Sequence, residues 1–121
     1  MLNVAKELKT FFSSFGLPAY TLESVPDDVT LPYITYPLVE PEWDQQASFY
    51  CQIWYRKNNL QALLEKADAV VGEIGTMKKF PLPNGYLVLY PSTPLIQILT
   101  DEDSQSAYIT LSLNAYHMPG E

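Results

Sequence analysis

The segment that most constrains the fold runs from residue 59 to residue 74, where apolar side chains recur at helical spacing. The apolar stripe consists of Leu60, Leu63, Leu64, Ala67, Val70, Val71 and Ile74. The opposite side of such a helix carries Gln61, Glu65, Lys66, Asp68 and Glu73. Asn58 and Gln61 have the spacing of a capping box at the start, and Gly75 is placed to end the helix. The pattern predicts one long amphipathic helix packed on a sheet.

Two other segments alternate with the period of two that is typical of strands. In residues 107–116 one face is apolar throughout, which indicates an antiparallel strand with that face on the core. In residues 47–56 both faces carry aromatic side chains, such as Phe49 on one and Trp54 on the other. We therefore expect the second face of this strand to be covered by a helix, a loop or another chain.

The N-terminal third is predicted to begin with a helix over residues 2–15, because apolar side chains recur there at spacings of three and four. Gly16 is a natural residue to end that helix. An edge strand is expected at residues 19–23 and a further strand at residues 31–39. Pro37 has no N–H to donate to a ladder, so it predicts an edge or a bulge.

In the C-terminal half, Pro83, Asn84 and Gly85 predict a turn before a strand over residues 86–90. Residues 91–94 contain two prolines and are expected to break the chain before a short strand at residues 96–99. An acidic turn then precedes the strand at 107–116. These elements predict a single α+β domain over residues 1–121. Its sheet is expected to be mixed but mostly antiparallel, with one long helix on it and a second helix at the N-terminus.

Charge and aromatic content bear on possible partners. Fourteen acidic against seven basic residues give a net charge of −7, which argues against a surface that grips DNA. Only 17% of residues are charged, whereas the chain has nine tyrosines and two tryptophans, residue types enriched where proteins bury surface against each other. The candidate subunit-interface residues are Phe11, Trp43, Tyr50, Trp54, Tyr108 and Tyr116.

The residue types needed for catalysis are sparse. Cys51 lies within an apolar strand and is expected to be a buried, inert thiol. His117 lies four residues from the end of the sequence, where we expect fraying rather than a catalytic site. One Cys and one His cannot form a zinc site, and the glycines do not have a nucleotide-binding spacing. We therefore expect no enzyme, metal site or cofactor. Asp101, Glu102 and Asp103 are assigned to a solvated acidic loop or a channel lining, and a Ca²⁺ or Mg²⁺ site on their carboxylates stays open as the less favoured alternative.

No apolar run has the length of a membrane span, and no signal peptide is recognisable, so assembly in a cytoplasm is expected. The order of elements resembles that of the tail terminator, or tail completion, proteins of long-tailed bacteriophages. That group includes the lambda-like minor tail proteins and their counterparts in phages of Gram-positive hosts. The local features that carry the resemblance are the strand-to-helix run Phe49 to Asn59, the hairpin opening at Gly85-Tyr86-Leu87, and the acidic turn before Ala107 to Tyr116.

The resemblance implies a subunit that closes into a ring, typically a hexamer, on the last ring of tail-tube protein. Such a ring stops tube growth, meets the neck or head-completion protein, and leaves a channel through which DNA passes without specific binding. The implied location is the head-proximal end of the virion tail. Two alternatives stay open at this stage. One is a neck or head-closure protein, and the other is a small host ligand-binding or regulatory module in which helix 59–74 floors a pocket.

Overall fold

The computed structural model describes residues 1–42, 45–100 and 106–119. It contains two α-helices and a six-stranded sheet, which confirms the predicted α+β class. The helices are α1 (Leu2–Phe12) and α2 (Leu60–Ile74). The strands are β1 (Ala19–Thr21), β2 (Tyr33–Tyr36), β3 (Gln46–Arg56), β4 (Lys78–Leu82), β5 (Gly85–Thr100) and β6 (Ser106–Pro119). The strand order is β1-β2-β3-β6-β5-β4, and only the β1–β2 pair is parallel.

The core lies between the two helices and one face of the sheet. Four side chains of α1 and four of α2 are buried, at the helical spacing that the sequence predicts. The ring of Phe12 on α1 stacks on Tyr36 of β2 with 4.5 Å between centroids. Lys66 on α2 donates from Nζ to the carbonyl oxygen of Phe15, 2.6 Å away, just after α1. Both helices therefore pack against the same face of the sheet.

Strand β6 is the centre of the sheet. It pairs with β3 without interruption from Ser106 opposite Arg56 to Tyr116 opposite Gln46, and it pairs with β5 on its other side. Alternate residues of β6 point toward the helices and are almost completely buried. They are Ala107, Ile109, Leu111, Leu113, Ala115 and His117. The predicted alternation is confirmed, and the strand extends beyond the predicted end at residue 116.

The start of α2 differs from the prediction. Residues Lys57–Asn59 form a 3-10 turn, so Asn59 rather than Asn58 is the N-cap, and it makes no side-chain capping hydrogen bond. Gln61 is not part of a capping box, because its Nε2 donates to Oε1 of Glu65, 3.1 Å away on the next turn. Because the 3-10 turn includes Asn58, the α-helix begins only at Leu60, and Asn58 cannot be its N-cap. Helix α1 ends at Phe12, three residues before the predicted end, and a 3-10 turn over Ser13–Phe15 continues to Gly16, which has a φ of 81°.

Three strand predictions need correction. Strand β2 ends at Tyr36, before Pro37, and it is not an edge because β1 pairs with it. The strand β4 at 78–82 was not predicted. The predicted break at 91–94 is wrong, since β5 continues through it with a register shift between Pro91 and Ile96. An irregularity of this kind lets a strand accommodate residues that cannot donate to the ladder.

The outer edge of β5 is only partly covered. Strand β4 pairs with residues 85–89, and within the described residues no strand pairs with the outer side of β5 beyond Leu89. Three apolar side chains in this distal half are exposed: Ile96 (38%), Ile98 (49%) and Leu99 (36%). An uncharged, apolar edge of this kind is a site where another strand can pair. We refer to residues 96–100 as the free edge.

The neighbouring leucines of α2 provide a test of the packing. Leu63 is fully buried, whereas Leu64 is 43% exposed although both belong to the predicted apolar stripe. We expect Leu63→Ala to lower the free energy of unfolding by about 2–5 kcal/mol and Leu64→Ala by less than about 1 kcal/mol. Urea denaturation at low protein concentration measures both. Equal losses would contradict the described orientation of α2.

Candidate functional site

The face of the sheet turned away from the helices is the most distinctive surface of the molecule. In the described part of the chain no helix packs on it, and we call it the open face. The strand registers place seven of the nine tyrosines there, together with Trp54. The aromatic residues of the open face are Tyr20, Tyr33, Tyr50, Trp54, Tyr86, Tyr90, Tyr108 and Tyr116. The open face is therefore an aromatic surface rather than the polar face typical of an antiparallel sheet exposed on one side.

Four of these rings form a row across neighbouring strands, which we call the aromatic ladder. Tyr20 meets Tyr33 edge to face at 6.2 Å between centroids, and Tyr33 stacks on Trp54 at 5.9 Å. Trp54 stacks in turn on Tyr108 at 4.2 Å. The register explains the row, because Tyr33 and Tyr108 are the direct cross-strand neighbours of Trp54. Such aromatic pairs add about 0.5–1.5 kcal/mol each beyond the area they bury.

Polar contacts beneath the aromatic ladder fix the orientation of the indole. Nε1 of Trp54 donates to Oγ1 of Thr35 at 3.1 Å, and that hydroxyl donates to Oε1 of Gln52 at 3.3 Å. Thr35 is only 3% exposed although it lies on the open face. Partial burial also raises the pKa of Tyr33 above its ordinary value. The aromatic ladder is thus a fixed part of the fold, whereas Tyr50, four residues before Trp54 on β3, is 59% exposed.

The charge of the open face differs from that of the whole chain. Its strand positions carry two basic residues, Arg56 and Lys79, and no carboxylate. The ammonium of Lys79 lies over the ring of Tyr86, 5.5 Å from its centroid, a cation–π contact. The acidic residues within the described ranges lie elsewhere, although the chain as a whole has a net charge of −7. The open face is therefore weakly basic and aromatic on an otherwise acidic protein.

Four of the predicted interface residues lie together on the open face: Tyr50, Trp54, Tyr108 and Tyr116. Phe11 does not. It is only 7% exposed and packs edge to face on Phe15 and Phe80, so its ring has almost no surface left for a partner. Trp43 and the acidic residues Asp101, Glu102 and Asp103 lie outside the described residues.

Sequence reasoning missed four aromatic residues of this surface. Tyr20 and Tyr33 lie on short strands, and Tyr86 and Tyr90 lie on a strand whose pairing was not predicted. The alternation within each strand was visible in the sequence. The sequence does not show which strands pair, and this pairing is what brings the four tyrosines onto one surface.

The two residues with the strongest catalytic potential are both buried. Cys51 is fully buried, and burial raises the pKa of its thiol far above the ordinary value. His117 is only 2% exposed, so the expectation of a frayed end there is wrong. Strand β6 continues to Pro119, and Nε2 of His117 lies 3.4 Å from Oε1 of Glu40, at a pocket of about 180 Å³. That volume is below the ~300 Å³ at which ligand sites usually begin.

Within residues 1–42, 45–100 and 106–119, no group of three or more His, Cys, Asp or Glu side chains is placed to hold a metal ion. In the same ranges no helix is both long and apolar enough to cross a membrane. The open face, with its exposed aromatic rings, is the candidate functional site.

Buried Cys51 makes stability depend on pH in a defined window. The unfolded thiol ionises near pH 9, whereas the folded thiol stays protonated because its pKa is raised. Stability is therefore complete below pH 9 and falls above it. We expect the free energy of unfolding to fall by about 1 kcal/mol between pH 9 and pH 10, relative to Cys51→Ala, and by about 1.4 kcal/mol per pH unit at higher pH. Parallel stability curves for the two proteins would contradict burial of the thiol.

The hydrogen bond between Trp54 and Thr35 can be measured by a double-mutant cycle. Trp54→Phe keeps an aromatic ring but removes the donor, and Thr35→Val removes the acceptor. We expect a coupling free energy of about 1 kcal/mol from thermal or urea unfolding. Pairing Trp54→Phe with Thr10→Val, an exposed position on α1, provides the control and should be additive. Additivity in the first cycle would mean that the bond does not stabilise the open face.

The chain was also compared with known proteins. Neither the models of protein families nor the curated proteins give a match. The open face, the free edge and the distribution of charge are the observations from which a function can be argued.

Proposed function

We propose that this protein is a structural subunit of a long-tailed bacteriophage. It assembles into a ring, typically a hexamer, that caps the tail tube, ends tail growth and provides the surface that joins the tail to the head. Its partners are further copies of itself, the tail-tube protein and the neck or head-completion protein. It is not an enzyme and uses no cofactor.

The observation that carries the proposal is the aromatic face of the sheet, on which no helix of the described residues packs. Tyr50 and Tyr86 on this face are 59% and 39% exposed, and the strand positions around them are almost uncharged. Tyr and Trp are the residue types enriched at the centre of protein interfaces. A sheet with an aromatic second face is expected to be covered in the functional state. In the proposed assembly, another subunit packs on this face.

The subunit also offers a second unpaired surface, the free edge of β5. It differs from the open face in shape and chemistry, since it presents backbone groups with Ile96 and Ile98 beside them. A closed ring is built from heterologous contacts, in which each subunit uses two different surfaces. The presence of two unlike surfaces on one subunit favours a ring over a twofold dimer.

The overall charge fits a ring that surrounds DNA without holding it. With a net charge of −7, the chain repels a polyanion at long range. Proteins that grip DNA neutralise phosphates with clustered Lys and Arg. The two bases of the open face would be covered by the subunit contact and would not face a channel.

Purified protein mixed with purified tail tubes of the same phage tests the proposal. We expect negative-stain images to show one ring at one end of each tube, and capped tubes that no longer elongate when tube protein is added. Disruption of the gene should yield tails of uncontrolled length that do not join heads. A protein that never caps tubes, or that binds only the neck of the head, would contradict the proposal.

A further inference from the structure

We propose that the open face of one copy packs on the solvent-facing side of α2 in the next copy, head to tail. This inference rests on the proposed function in so far as it assumes self-association. It adds the identity of the two surfaces that meet. Each sheet would then lie between its own helices on one side and a neighbour's helix on the other.

The solvent-facing side of α2 has the opposite charge to the open face. Its carboxylates are Glu65, Asp68 and Glu73, and all three are exposed. Lys66 is the one basic residue of α2, and its ammonium is committed to the carbonyl oxygen of Phe15 at 2.6 Å. The exposed side of α2 therefore presents a row of carboxylates with no free ammonium on the same helix.

The two surfaces complement each other in charge and in hydrogen bonding. Arg56 and Lys79 on the open face match the carboxylates of α2 in sign. Tyrosine hydroxyls donate hydrogen bonds, and ionised carboxylates only accept them. The exposed phenols of Tyr50 and Tyr86 are thus suited to pair with the carboxylates of α2, and such charge-assisted bonds are stronger than neutral ones.

The shape and apolar content of the solvent-facing side of α2 also favour contact with aromatic rings. Leu60 and Leu64 are 44% and 43% exposed, which gives the acidic side an apolar component. Gly72 is exposed, and a side chain added there would meet nothing within 4 Å. A depression of about 450 Å³ lies between Gly72 and Phe15. A tyrosine ring from a neighbouring copy can approach the backbone of α2 at this point.

The lengths of α2 and of the sheet strands are also compatible with this contact. A helix of 15 residues such as α2 is about 22 Å long, and a strand of 11 residues such as β3 is about 36 Å long. The helix can therefore lie within the open face without reaching past its ends. The result is a helix–sheet–helix layering, an arrangement common among α/β proteins whose sheets are buried on both faces.

Contact between two open faces is the main competing arrangement. It would place the bases of two copies on the same interface with no carboxylate between them, and it would leave the apolar and acidic side of α2 exposed. The charge distribution favours contact of the open face with α2. Because that contact is electrostatically complementary, we expect the association to weaken as salt is raised.

Two exposed substitutions separate the arrangements. Tyr50→Asp places a carboxylate on the open face, and Leu64→Asp adds one to α2. We expect each variant alone to raise the concentration for half-assembly at least about tenfold, as measured by native mass spectrometry and sedimentation. An equimolar mixture should form a one-to-one pair near the wild-type concentration and stop there, because one intact open face and one intact α2 remain. Met77→Asp, an exposed position outside both surfaces, should assemble as the wild type does.

Several outcomes would overturn the inference. If Leu64→Asp assembles like the wild type while Tyr50→Asp does not, and the mixture gives no pair, the open faces meet each other. A wild-type protein that stays monomeric both at ~1 mM and on tail tubes excludes the contact altogether. Rings that show the expected pairing but never cap tubes would leave this inference standing and remove the proposed function.

Discussion

The register between β3 and β6 is the constraint on which the rest of the structure depends. Eleven residues of β3 pair with β6 without a bulge, and this pairing assigns every side chain of both strands to one face or the other. Cys51 and Leu111 point to the helices, and Trp54 and Tyr108 point away. A slip of one residue would expose the core side chains and bury the aromatic ladder against α1 and α2.

The same register explains why the open face is both ordered and available. Trp54 stacks between its cross-strand neighbours Tyr33 and Tyr108, and the bond to Thr35 holds its indole. Those residues stabilise the fold from the outer side of the sheet. Tyr50, on the same strand, keeps more than half of its surface exposed. An ordered platform with exposed rings needs little rearrangement when a second chain binds.

Much of the fold follows from local patterns in the sequence. The apolar stripe of α2 and the alternation of β6 predict both elements, because burial on one face imposes a period of 3.6 or of two. The strand β4 was missed because Lys78 and Lys79 resemble a solvated loop end. The continuation of β5 through Pro91 depends on its pairing with β6, a contact between segments that are separate in the sequence. The candidate site was predictable only in part for the same reason, since strand order decides which tyrosines become neighbours.

The central claim is that assembly covers the open face, and hydroxyl-radical footprinting tests it most directly. The labelling of Tyr50 and Tyr86 is compared between the dilute monomer and the assembled state, with exposed Leu2 and Met77 as internal references. We predict that both tyrosines become protected on assembly while the references keep their labelling. Equal labelling of Tyr50 and Tyr86 in the two states would contradict the account.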